Sequence, residues 1–332
     1  MTIAKDPMQP GTNERAEVCG PLAAVTMASG APDRMRRLLQ GALNLTPRFE
    51  RVEGAAARAL AEHWGVAPSD SIDLTLYTRP EVDDAVTLRV LHVAEATAVA
   101  RPRLDCRYVG ALGVGFAIRG LRARHAIVEQ SGFGSTAGVT FMPFPRADGT
   151  TYEVGESHWI GPDEFMVLGV DRSDMPPIGS IDAALGMGGP NYSSALVSDA
   201  GRTGAFLDEV LGLELRREFT FEADGPDGGM GLPAGTRVHF QQWFAPKARS
   251  GYLVIMQLLE HGLPPPQPLG LRSRGIGLWS FKTRDVEAVQ QRALHRGATV
   301  SRAPASLAVP GSGQVTALML ATPDGFPIEV FS

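Results

Sequence analysis

Cysteine is nearly missing from this chain: Cys19 and Cys106 are the only two in 332 residues. That is too few for a disulfide framework or a zinc ribbon, so both are read as reduced structural thiols. Lysine is almost as scarce. Lys5, Lys247 and Lys282 are the whole set, and arginine supplies the rest of the 31 basic residues. With abundant Ala, Gly and Pro, this suggests a GC-rich bacterial genome, which is a codon argument and says nothing of function. The net charge of −5, with no basic run, argues against a nucleic-acid surface. No apolar run approaches the ~20 residues needed to span a bilayer. Residues 1–17 are polar, lack an apolar signal core and read as a flexible tail, so the expected compartment is the cytoplasm.

What is present is an ordinary globular composition, 44% hydrophobic and 20% charged, in a chain long enough for two domains. It is also repetitive. Arg34–Arg48 lies over Arg202–Arg216 at an offset of 168, with apolar matches at Leu38/Phe206, Leu39/Leu207, Ala42/Val210, Leu43/Leu211 and Leu45/Leu213. These spacings of three and four make one stripe of a helix, and Asn44 or Gly212 suits the left-handed cap that follows. Phe116–Gly132 matches Phe281–Gly297 at the similar offset of 165. Two matches at nearly equal offsets indicate a tandem duplication.

Each half repeats internally. The third quarter reads as strand 192–198, helix 202–211 and strands 213–221, 236–244 and 252–259. The fourth reads as strand 276–282, helix 286–296 and strands 299–303, 314–322 and 326–331. The first two quarters begin alike, with strand–helix pairs at 22–29/33–43 and 111–118/121–132. Gly110–Gly115 is therefore a strand opening the second module. Gly132–Gly138 follows a helix instead of preceding one, so neither glycine cluster is a phosphate loop. Proline- and glycine-rich segments at 173–179, 186–190 and 264–268 punctuate the modules.

The chain ends on a Pro323-Asp324-Gly325 turn and a short strand, Phe326–Phe331, that carries Glu329 between apolar neighbours. This ending, with the fourfold βαβββ order, resembles the vicinal oxygen chelate superfamily of glyoxalases, bleomycin-resistance proteins and extradiol dioxygenases. The resemblance covers roughly residues 20–332 and implies an α+β fold. Four βαβββ modules would form two cupped mixed-sheet barrels with helices outside. The expected division is a tail at 1–17, a first domain at 18–175, a linker at 176–190 and a second domain at 191–332, each domain being a pair of consecutive modules. The pocket is expected in the second. Since duplication supplies the pairing of modules within one chain, either a monomer or a homodimer is compatible.

In that superfamily metal ligands come from the first and last strands of each module, the first usually placing a histidine seven residues before a helix-starting aspartate. Here that spacing from Asp199 and Asp285 gives Tyr192 and Leu278; the first half offers Ala24 and Gly113. The last strands give Gln257 and Glu329. One carboxylate among these is a poor site for divalent iron, manganese or zinc, so no cofactor is expected. Were a metal bound, Glu329 with His239 and His261 would be its ligands, and extradiol or glyoxalase chemistry would return.

Two readings follow, both for a small carbonyl-bearing or aromatic metabolite. In one, a metal-free lyase, isomerase or hydrolase uses Glu329 as general base, its pKa raised by an apolar setting, while Tyr192, His239 and Gln257 orient a carbonyl. In the other, a bleomycin-resistance-like cup binds a planar molecule without turnover. Trp243, Phe240, Gln241, Gln257 and Leu278 are the expected contacts in either case. By the two-residue period His239, Gln241 and Trp243 share one strand face and Phe240 the other.

Overall fold

The computed structural model describes residues 16–101, 108–145, 150–172, 175–223, 225, 228–260 and 270–332. Residues 1–15, Cys106, His261 and the 264–268 connector lie outside them. Among the described residues, sixteen strands and five α-helices run in four βαβββ modules. The first holds β1 (Cys19–Ser29), α1 (Pro32–Arg36, continuing as a π-helical turn over Arg37–Ala42), β2 (Thr46–Glu53), α2 (Gly54–Trp64), β3 (Ser71–Thr78) and β4 (Thr87–His92). The second holds β5 (Gly110–Ile118), α3 (Leu121–Gln130), β6 (Ser135–Pro145), β7 (Thr151–Ile160) and β8 (Met166–Asp171). The third holds β9 (Met187–Leu196), α4 (Ala200–Glu209), β10 (Glu214–Glu222), β11 (Arg237–Phe244) and β12 (Tyr252–Leu258). The fourth holds β13 (Gly275–Thr283), α5 (Val286–His295), β14 (Thr299–Val309), β15 (Gly313–Ala321) and β16 (Pro327–Phe331).

The repeated local signals account for the repeated elements. Asp199 and Asp285 each accept a hydrogen bond from the backbone N–H three residues on, capping α4 and α5 at their N-termini. Asn44 and Gly212 take the left-handed conformation where the first helix of each half gives way to a strand. Leu38, Leu39, Leu207, Val210, Val286 and Val289 pack the helices onto one core with Val25, Met27, Val114, Phe116, Trp279 and Phe281. That core lies between the backs of two sheets, and the Trp279 indole N–H donates to Ser193 Oγ across it at 2.9 Å.

The pairing of modules differs from the sequence expectation. One eight-stranded sheet runs β14-β15-β16-β13-β1-β4-β3-β2 and the other β10-β11-β12-β9-β5-β8-β7-β6. The first module thus completes a cup with the fourth, and the second with the third; neither half of the chain closes a cup alone. Thr26 lies opposite Leu278 in one seam and Gly115 opposite Tyr192 in the other. A repeat offset identifies equivalent modules but carries no information about which first strands meet. The glycine-rich 186–190 segment, expected as linker, is largely strand. A Cβ on Gly189 would sit 2.4 Å from Ala85 Cβ, so that glycine serves close packing.

The second unexpected element is α2, present in the first module alone. Ala57, Leu60, Ala61 and Trp64 from its buried face join Leu74, Leu76, Leu278, Val309 and Phe331 in one apolar cluster. The helix therefore fills the cup of modules one and four. Full burial of each large side chain contributes about 1.5–3 kcal/mol, so the plug is an integral core element.

Candidate functional site

Glu329 stands in the filled cup. It is 0% exposed, and its carboxylate accepts from Trp64 Nε1 at 2.8 Å, Ser280 Oγ at 2.8 Å and Arg89 Nη1 at 3.0 Å. Arg89, 2% exposed, also donates to Ser280 Oγ and Ser312 Oγ. Burial alone would push the Glu329 carboxyl up. Arg89, the Trp64 N–H, His63 and Ser280 outweigh it and hold the group below the usual carboxylate range. The expected raised pKa is therefore corrected: apolar sequence neighbours in β16 concealed a cation supplied by β4, some 240 positions away. His63 Nε2 lies 3.7 Å from Glu329, and burial lowers the pKa of that imidazole, against the pull of the Glu329 charge.

The same geometry tests the metal that the fold family implies. β4 and β16 are the last strands of the paired modules, and β1 and β13 the first. Their cup-side residues around Glu329 are Arg89, Thr26, Leu278 and Ser280. A fixed guanidinium 3.0 Å from the Glu329 carboxylate would repel a divalent cation, and the other groups are poor ligands. The residues do not fit a metal. Among the described residues no group of three or more His, Cys, Asp or Glu is arranged to hold one.

The other cup is open. A cavity of about 920 Å³ lies between β5–β8 and β9–β12, within the range of small-molecule sites. It takes walls from both halves of the chain, which corrects the expectation of a pocket in the second half alone. Strand register lays its contents out in rows. One row runs Tyr252, Tyr192, Gly115, Leu168 and His158. Tyr192 stacks on Tyr252 at 4.8 Å and Phe244 on Tyr252 at 4.4 Å. Gly115 is required there, since a Cβ would sit 1.7 Å from the Tyr192 ring. The next row runs Arg217, Gln242, Val254, Ser194 and Gly113. A third runs Phe219, Phe240, Met256 and Leu196, with Phe219 and Phe240 rings 4.7 Å apart.

The polar groups of this cavity are deeply placed. His158 has an acceptor at each ring nitrogen, Gly229 O at 2.7 Å from Nδ1 and Glu156 Oε2 at 3.2 Å from Nε2. Burial lowers its pKa, but the Glu156 hydrogen bond and charge and the Gly229 carbonyl prevail, and the net shift is upward. Two acceptors call for two N–H donors, which is the imidazolium. Burial, then Tyr252 and Glu156, raises the Tyr192 phenol well above its ordinary value, so it stays a neutral donor. Ser194 Oγ and Gln242 Oε1 are buried without a hydrogen-bond partner in the protein.

The residues expected from sequence are thus divided. Tyr192 and Phe240 line the open cavity; Glu329 and Leu278 belong to the filled cup. Gln257 faces away and accepts from the Ala200 N–H at the start of α4 at 2.9 Å. Gln241 and Trp243 pack beneath α4: Trp243 Nε1 donates to Gln241 Oε1, and a Cβ on Gly204 would meet the Trp243 ring at 2.7 Å. His239 stands at the cavity rim, Nε2 2.8 Å from Glu218 Oε1, far from Glu329 in the other sheet. Sequence reasoning missed Arg89, α2, His158, Arg172, Arg217 and Gln242. Period-two reading of β11 had already placed Phe240 opposite His239, and it would have placed Gln242 with Phe240.

Residues 189–330 match the sequence model of the Glyoxalase/Bleomycin resistance protein/Dioxygenase superfamily. Among solved structures, glyoxalase I from Zea mays superposes with a TM-score of 0.61 at 15% identity, over 94% of this chain and 92% of that one. A putative dioxygenase from Bacillus subtilis superposes with a TM-score of 0.57 at 13% identity, over 95% and 86%. At these identities the likeness is one of fold. No curated protein sequence matches. Among the described residues no helix is long and apolar enough to cross a membrane. Residues 189–330 are thus similar to the glyoxalase/bleomycin resistance protein/dioxygenase superfamily, and the two cups share the fold of glyoxalase I.

Proposed function

We propose that this protein binds a small, largely apolar or aromatic molecule in the cup formed by the second and third modules, without a metal, and that the cup of the first and fourth modules is structural. The observation that carries this is the contrast between the two cups: one holds a cavity of about 920 Å³ with stacked aromatic walls, the other is filled by α2. Glu329, held as a carboxylate among four partners, lacks both the proton affinity and the access that a general base needs. Binding without turnover, the bleomycin-resistance-like reading, is favoured further by His158. Both of its nitrogens are committed to the protein, so it is not poised to exchange a proton with a ligand.

The test is cavity filling. Val254 sits in the centre of the open cup, and Val254→Trp places an indole in the cavity. In a thermal-shift screen of planar aromatic compounds, wild-type protein is expected to be stabilised by some of them and Val254→Trp by none. Hits that stabilise the two proteins equally would place binding elsewhere and refute the proposal.

A further inference from the structure

We propose that Gln242 and Ser194 select the ligand of the open cup by hydrogen bonding, and that the group they receive is a neutral amide-type edge, an N–H beside a C=O, on a planar apolar body; this rests on the open cup being the ligand site. Both side chains line the cavity. Gln242 is 6% exposed and Ser194 1%, and among the described residues neither Gln242 Oε1 nor Ser194 Oγ has a hydrogen-bond partner. Buried polar atoms in native proteins are nearly always satisfied, so two unmet ones in a single cavity mark where a ligand supplies the missing partners.

Strand register brings the two together. Gln242 in β11 stands across from Val254 in β12, and Val254 stands across from Ser194 in β9. Cross-strand partners share a sheet face and neighbouring strands lie about 4.8 Å apart, so the two polar residues flank Val254 on the cavity side. Two residues along the strands in one direction stand the stacked rings of Tyr192 and Tyr252, and two in the other stand Phe240 and Met256. The polar pair is thus set in an apolar floor, which strengthens hydrogen bonds made there and makes their absence costly.

The chemistry of the pair defines its complement. Gln242 Oε1 only accepts, so it calls for an N–H or O–H from the ligand. Ser194 Oγ has a proton to give, which suits a carbonyl oxygen. One carboxamide or lactam edge above Val254 meets both demands. Neither side chain is charged, and the cavity wall already holds both signs, Glu156, Glu218 and Glu222 with Arg172 and Arg217. The pair therefore reads the hydrogen-bonding pattern of the ligand and not its charge.

The test is calorimetric titration with three probes of one shape: 2-naphthamide, 2-acetylnaphthalene, in which methyl replaces NH₂, and 2-isopropenylnaphthalene, in which CH₂ also replaces the oxygen. Naphthamide is expected to bind about tenfold more tightly than acetylnaphthalene, and acetylnaphthalene more tightly than isopropenylnaphthalene, one satisfied hydrogen bond being gained at each step. Gln242→Met should bring naphthamide to within about twofold of acetylnaphthalene and leave the other two probes within about twofold of their wild-type values. Ser194→Ala should weaken the two carbonyl probes by about threefold or more and leave isopropenylnaphthalene unchanged. A cup that was merely loosened would weaken all three probes alike, so the ratios carry the test. Melting temperatures are measured alongside, and if one variant fails to fold the other decides. Equal binding of the three probes to wild type, or ratios untouched in the folded variants, overturns the assignment while leaving the cavity as a ligand site. So does failure of all three to bind while Val254→Trp abolishes other hits of the thermal-shift screen. If none of the three binds and Val254→Trp changes nothing in that screen, the cavity reading itself falls, and the amide assignment with it.

Discussion

Arg89→Met is the perturbation that separates a structural Glu329 from a functional one. In the folded protein the Arg89 guanidinium lies 3.0 Å from Glu329, and both side chains are cut off from water by α2 and the surrounding strands. Removing the cation leaves a buried carboxylate with only the Trp64 and Ser280 donors, and breaking a buried pair in this way costs about 3–5 kcal/mol. Unfolding entropy of about 2.1 cal/mol/K per residue gives ~0.7 kcal/mol/K for a chain of this length, so the melting temperature should fall by roughly 4–7 °C. The double change Arg89→Met/Glu329→Leu removes both charges and should recover most of that loss, because the lone buried charge is what costs. The acid limb follows with a definite sign. Glu329 is depressed below its ordinary value of 4.5, so its contribution is present above that value and is lost as pH falls through the folded-state pKa. The double variant should therefore lose less stability than wild type on acidification. Calorimetry of the three proteins at neutral and acid pH, with ligand titrations of each folded form, is the assay. An Arg89→Met protein as stable as wild type, or one folded but unable to bind ligand, would refute the reasoning.

Glu329→Gln should leave ligand affinity unchanged while lowering the melting temperature, as measured by titration and calorimetry on one sample. Trp64→Phe keeps the ring packed but removes the N–H donor, and should cost about 1–3 kcal/mol in denaturant unfolding. The folded-state pKa of His158 is raised, so the Glu156–His158–Gly229 link is complete below the ordinary histidine value of 6.5 and weakens as pH rises through the folded-state value. Hydrogen exchange around Gly229, corrected for the intrinsic rate, should accelerate over that rise in wild type and not in His158→Gln. The Cys19 thiol is buried and pushed up to about 12, so peptide mapping should find it unlabelled by thiol reagents until the chain unfolds.

The fold was legible because its signals are local and repeated. Asp199 and Asp285 cap helices in the same relation to their strands, and the stripes around Leu38 and Phe206 superpose by counting residues. Partnership between modules was not legible, since β1 and β5 are both apolar first strands and each could have paired with either half. The plug α2 was hidden for a related reason. It lies in an insertion with no counterpart in the other three modules, so the repeat gives no guide to it. Of the residues expected from sequence, two line the open cavity and others do not. Tyr192 and Phe240 follow from spacing and strand alternation, whereas Glu329 misleads because its neighbours in sequence are not its neighbours in space. Its charge is balanced by Arg89 from β4 and hydrogen-bonded by Trp64 from α2, and burial of a carboxylate in an apolar strand is as much the mark of an ion pair as of a base.

The most direct test of the division between the cups is a crystal structure of the protein with a planar aromatic compound that stabilises it in the thermal-shift screen. The account predicts electron density for that compound in the cavity between β5–β8 and β9–β12, its ring against Tyr192 and Tyr252, with Glu329 still joined to Arg89 beneath an undisturbed α2. Density beside Glu329, with α2 displaced from the cup, would contradict it.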